Sequence, residues 1–133
     1  MFWNPQVILF SEDVERLVAF YGTLGFHETM RMVTDAEAVH VDLVLDGYRL
    51  GISSVASALV DHGITRHDEG GRHTAVVLWT DNTLAAYDRL VRQGVTPLAA
   101  PRMWLDRFFL AWLADPDGNP IQVVQSVGPR LPL

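Results

Sequence analysis

Asp115-Pro116-Asp117-Gly118-Asn119-Pro120-Ile121-Gln122 is the stretch of this 133-residue chain whose reading decides the fold. It reads as a turn, with proline pre-setting φ at the second position and glycine free to take positive φ, which delivers the chain into a strand over residues 121–125. Residues 107–114, just before it, form an apolar run of strand type, so the three pieces make a hairpin. An earlier Asp-Gly pair does the same job. Asp46-Gly47 joins the alternating His40-Val41-Asp42-Leu43-Val44-Leu45 to a return strand over 48–53, and the two Asp-Gly pairs lie 71 residues apart.

Working outward, the likeness between the halves grows. Residues 6–10 read as a strand, and Ser11-Glu12-Asp13 suits a helix N-terminus. Val14, Leu17, Val18, Tyr21 and Leu24 then recur at helical spacing up to Gly25, and 27–33 is extended. The second half has a strand over 73–79, a capping pair Asp81-Asn82, and a helical face of Leu84, Tyr87, Leu90 and Val91 ending at Gln93-Gly94. An extended segment with Pro97 and Pro101 follows. Counted between Asp13 and Asp81 the repeat is 68 residues, close to the hairpin spacing. The expected fold is α+β: two βαβββ modules, over 5–55 and 72–126, joined by a polar linker over 56–71. Each module is a four-stranded sheet with one helix and an open concave face, and pairing two of them closes a trough.

Composition narrows the chemistry. Hydrophobic residues make up 49% and charged residues 20%, an ordinary globular balance. There is no cysteine, which excludes a thiol nucleophile, a disulfide framework and cysteine-held metal clusters. All ten basic residues are arginine, so a Schiff-base lysine and a Walker A phosphate loop are excluded too. The net charge of −6 argues against a nucleic-acid partner and favours neutral, metal-bearing or cationic small molecules. No apolar run is long enough to span a membrane, and Met1-Phe2-Trp3-Asn4-Pro5 lacks the pattern of a secretory signal, so a cytoplasmic protein is expected.

The sequence resembles the vicinal oxygen chelate superfamily, which includes glyoxalase I, bleomycin- and fosfomycin-resistance proteins and extradiol dioxygenases. The likeness is carried by Asp13-Val14-Glu15-Arg16 running into Phe20-Tyr21-Gly22-Thr23-Leu24-Gly25-Phe26, by the Asp115 to Gln122 stretch, and by the paired module order. The resemblance implies an incomplete barrel around a pocket, commonly in a homodimer. It also implies metal positions in the metal-dependent members: seven residues before each capping Asp, here Gln6 and Thr74, and on the last strand of each module, here Gly51 and Gln122. That set is poor. A divalent metal wants imidazole or carboxylate, whereas Gln and Thr are weak neutral donors and Gly has no side chain. No metal and no cofactor are therefore expected. His73 is adjacent to Thr74, and a one-residue slip would turn it to the other face of its strand.

Strand alternation extends the inward face to Ile8 and Phe10 beside Gln6, to Val76 and Leu78 beside Thr74, and to Val124 beside Gln122. Trp104, in the loop before the seventh strand, is placed to stack on a planar ligand, with Arg102, Asp106 and Arg107 nearby. Trp3 and Trp112 read as core packing. His27 and His40 read as structural strand histidines, and His67-Asp68-Glu69 as a solvated loop cluster. Ser53, Ser54 and Ser57 lack a nucleophile-elbow pattern, so no Ser-His-Asp constellation is inferred. The expected ligand-binding set is Gln6, Ile8, Phe10, Thr74, Val76, Trp104, Gln122 and Val124.

Two functions follow. One is a small-molecule-binding protein of the bleomycin-resistance type, sequestering an aromatic or cationic antibiotic. The other is a lyase, isomerase or dioxygenase of the same superfamily acting on a small metabolite, through a divalent metal or through acid–base residues such as His73, His40 or Asp42.

Overall fold

A computed structural model describes Met1, residues 3–65 and residues 74–128. The chain divides into two compact units, Met1–Glu69 and Gly70–Leu133.

The first unit runs β1 (Val7–Ser11), α1 (Val14–Thr23), β2 (His27–Thr34), β3 (Glu37–Leu45), β4 (Tyr48–Ser54) and α2 (Val55–His62). Its sheet has the order β1-β4-β3-β2, with β1 parallel to β4 and the rest antiparallel. Asp13 starts α1 by accepting a hydrogen bond from the Arg16 backbone N–H at 3.1 Å. The apolar stripe of α1 then buries Val14, Leu17 and Tyr21 against the sheet face that carries Leu9, Val41, Leu43, Leu50 and Ile52. Burying side chains of this size contributes about 1.5–3 kcal/mol each.

The first half of the expected linker is helical. Ser54 accepts from the Ser57 N–H at 3.2 Å to cap α2, and Gly63, at φ 68°, ends it with the Ile64 N–H bonded to the Ala58 carbonyl. A serine and a glycine nine residues apart, on either side of an apolar run, are the sequence signal for it.

The second unit runs β5 (Val76–Trp79), α3 (Thr83–Arg92), β6 (Thr96–Trp104), β7 (Phe108–Ala114) and β8 (Pro120–Ser126), in the sheet order β5-β8-β7-β6. Of the capping pair, Asn82 is the cap: it accepts from the Ala85 N–H at 3.0 Å. Thr83, fully buried, ties α3 to the sheet: its hydroxyl donates to the Phe109 carbonyl at 2.8 Å and its backbone N–H donates to Gln125 Oε1 at 2.7 Å. The Asp115 turn forms as read. Gly118 sits at φ 86°, and the Asp115 carboxylate accepts from the Asp117 and Asn119 backbone and from the Asn119 amide, each within 2.9 Å. The α+β fold of two βαβββ modules is thus the observed one.

Candidate functional site

Residues paired across a sheet point to the same side. In the first unit, Ile8 pairs with Gly51 and Phe10 with Ser53, while Gly51 pairs with Asp42 and Ser53 with His40. Ile8, Phe10, His40, Asp42, Gly51 and Ser53 therefore share the face opposite α1. Ile8 and Phe10 are exposed there, as befits a surface left open for contact.

That face holds a continuous hydrogen-bonded network. His40 Nδ1 lies 2.6 Å from Ser53 Oγ, and His40 Nε2 lies 2.7 Å from Asp42 Oδ1. Gln6 Nε2 donates to the same carboxylate oxygen, and the Arg49 guanidinium reaches Asp42 Oδ2 at 3.4 Å. Asp42 is only 4% exposed. Its burial alone would raise its pKa, but the hydrogen bonds from Gln6 and His40, with the charges of His40 and Arg49, outweigh that and hold the carboxyl below its ordinary value. With Asp42 ionised, His40 Nε2 carries the proton it donates. On neutral imidazole Nδ1 then accepts from the Ser53 hydroxyl.

Gly51 makes room for this arrangement. A Cβ there would stand 2.8 Å from Gln6 Nε2, 3.0 Å from the His40 ring and 3.0 Å from Ile8. The glycine is required by the close approach of Gln6 and His40.

In the second unit, Val77 pairs with Gln122 and Trp79 with Val124, while Gln122 pairs with Trp112 and Val124 with Leu110. These residues lie opposite the face carrying Gln125, which binds α3. Val76 pairs with Ile121 and so lies on the α3 side with Leu78, correcting the expectation that it shares a face with Gln122. Thr74 precedes β5 as exposed coil. The cause is the cap. Counting seven residues back from Asn82, not from Asp81, leads to Ala75, and the whole strand reading moves by one. Trp104 also differs from expectation. It is the last residue of β6, paired with Phe108 across a three-residue turn, Leu105-Asp106-Arg107, in which Leu105 and Asp106 have φ values of 54° and 51°. Its ring lies 5.9 Å from that of Phe108, which in turn meets Trp79 edge-on at 6.2 Å. The Arg107 guanidinium sits 5.5 Å over the Phe108 ring. Trp104 is 54% exposed and Trp79 39%, so the cluster offers aromatic surface to a ligand. Trp3, expected in the core, is 86% exposed.

The sequence profile of the Glyoxalase/Bleomycin resistance protein/Dioxygenase superfamily matches residues 4–123. The chain belongs to that superfamily. Among solved structures it resembles a glyoxalase/bleomycin resistance protein/dioxygenase from Nocardioides, at 21% identity and a TM-score of 0.76 over 100% of this chain and 92% of that one. A superfamily member from Sphaerobacter thermophilus matches at 23% identity and TM-score 0.69, covering 94% of this chain and 98% of its own. TioX from Micromonospora sp. ML1 matches at 17% identity and TM-score 0.70, covering 92% and 97%. At these identities the likeness is one of fold. No curated protein matches the chain at a significant level.

The residues at the superfamily's metal positions do not fit a divalent ion. Gln6 turns its amide nitrogen to Asp42, Gly51 has no donor and its side-chain space is taken by Gln6 and His40, and the second unit offers Ala75, by the corrected count, and Gln122. His67, Asp68, Glu69 and His73 lie outside the described residues. In the sequence His40 reads as a structural strand histidine, and nothing local joins Ser53 or Arg49 to it. The available signal was alternation: His40 and Asp42 are two apart on a strand and so share a face.

The strand pairings put different residue types at equivalent places in the two units. Gly51 corresponds to Gln122, and the pairings carry Ile8 to Val77, Phe10 to Trp79, His40 to Leu110, Asp42 to Trp112 and Ser53 to Val124. One open face is polar where the other is aromatic and aliphatic.

Proposed function

We propose that the protein binds a small, planar, partly aromatic molecule without the help of a metal. The observation that carries this reading is the half-exposed Trp79–Phe108–Trp104 cluster on the open face of the second unit, on the same side of the sheet as the Gln122 amide. Stacking gives such a surface affinity for conjugated rings, and an amide fixes orientation by hydrogen bonding. The superfamily includes drug-resistance proteins, so sequestration of an antibiotic is the concrete form of the proposal, and the net charge of −6 favours a cationic one by steering. The homodimer expected from the resemblance belongs to the same proposal and is checked by sedimentation.

Fluorescence titration with planar cationic drugs, proflavine among them, tests the reading. The tryptophans report binding directly. Trp104→Ala is expected to weaken a hit by about tenfold, the worth of one aromatic contact. Equal affinity of Trp104→Ala and wild type for every hit would remove the cluster from the binding surface.

A further inference from the structure

We propose that Ser53 is an acyl-accepting nucleophile, with His40 as its general base and Asp42 as the residue that positions His40. The chain of contacts is Ser53 Oγ to His40 Nδ1 at 2.6 Å and His40 Nε2 to Asp42 Oδ1 at 2.7 Å, the connectivity by which a hydroxyl is activated through imidazole, with the two ring nitrogens exchanged relative to the usual serine hydrolase arrangement. The parts are held from outside the chain of three. Gln6 and Arg49 both donate to the Asp42 carboxylate, so it is fixed in place and stays ionised. His40 and Ser53 are directly opposed residues of β3 and β4, so the sheet ladder itself sets their approach. Gly51, beside them, leaves the space that the His40 ring fills.

The face is also accessible to an acyl donor. Phe10, the β1 partner of Ser53, and Ile8 are both exposed beside it and offer apolar surface to an acyl or aryl group. In the reaction, the Ser53 oxygen forms a bond to the carbonyl carbon of an ester as its proton passes to His40 Nδ1. The bond from that carbon to the leaving oxygen then breaks, and His40 returns the proton to the leaving group. The acyl group remains as a Ser53 ester, which water hydrolyses through the same base. Ser53 lies in a strand paired on both sides, with Phe10 and with His40, so the local backbone is committed to the sheet and offers no pair of free N–H groups to the oxyanion. Loss of even one such donor costs about 10²–10³ in rate, so the site suits activated esters and turns over slowly.

The test is acylation of the whole chain by p-nitrophenyl acetate, followed by intact mass and peptide mapping. The chain contains no lysine, which removes the commonest competing acyl acceptor. The expected result is a burst of about one equivalent of p-nitrophenolate and an acetyl group on Ser53. The adduct is absent from Ser53→Ala, and its formation is slowed by about 10²–10⁴-fold in Asp42→Asn, which keeps the shape of the side chain but not the charge that orients His40. Circular dichroism confirms that both variants fold. No adduct, an adduct mapped to another residue, or an Asp42→Asn rate equal to wild type would each overturn the proposal. None of these outcomes bears on ligand binding at the tryptophan cluster, which is read separately by fluorescence.

Discussion

Gly51 and Asp42 face each other across β3 and β4, and each constrains the other's surroundings. A methyl group at Gly51 would meet Gln6 at 2.8 Å and the His40 ring at 3.0 Å, so Gly51→Ala must push both away from the Asp42 carboxylate. Overpacking of this kind costs about 1–3 kcal/mol, read as a lower denaturation midpoint. Asp42→Asn tests the charge. Because the folded pKa of Asp42 lies below its ordinary value of 3.8, its stabilisation is complete above that value and is lost as the pH falls through the folded one. Wild type is therefore expected to exceed Asp42→Asn in stability at neutral pH, by about 1–3 kcal/mol, and the gap is expected to close below pH 4. A gap that did not narrow at all as the pH falls below 3.8 would show that the carboxylate charge is not what the network needs. The polar positions could be read from the sequence one by one. Their convergence could not, because Gln6, Asp42 and Arg49 meet only through two strand pairings.

At the scale of elements, the caps and turns decide register. Asn82, not Asp81, closes the first turn of α3, and Asn82→Ala is expected to cost about 1 kcal/mol in thermal or chemical denaturation. Two adjacent residues able to cap leave the choice open in the sequence, and a cap at Asp81 would place Val76 on the opposite face from the one it occupies. A period of two makes that error complete, since a slip of one residue inverts every side chain of a strand. The Asp115 turn is the opposite case. Its carboxylate takes three hydrogen bonds while 4% exposed, so the local sequence already contained the donors and the acceptor. Asp115→Ala leaves those donors without their acceptor and is expected to lower stability by about 2–4 kcal/mol, measured by the urea midpoint.

Over the whole molecule, two units of one topology carry open faces of opposite chemistry. The same pattern of apolar positions builds both sheets, because burial against a helix requires only that alternate residues be apolar. The faces away from the helices are free of that demand, and there His40, Asp42 and Ser53 stand where the other unit has Leu110, Trp112 and Val124. For the whole protein, chelator-free preparations are expected to contain no stoichiometric divalent metal, and added manganese or zinc to leave the melting temperature unchanged, whereas a ligand at 100 times its Kd adds about 2.7 kcal/mol. Stoichiometric metal would return the superfamily's metal chemistry to consideration. Among the described residues no helix is long and apolar enough to cross a membrane. The sequence by itself determined the repeat, the hairpins and the family, since these rest on local turn chemistry and on the spacing of apolar residues. Only the tertiary structure decided which side chains meet: Ser53 reaches His40 across the β3–β4 hairpin, Gln6 reaches Asp42 from ahead of β1, and Trp79 on β5 reaches Phe108 beside Trp104, because strand-pairing register sets those contacts.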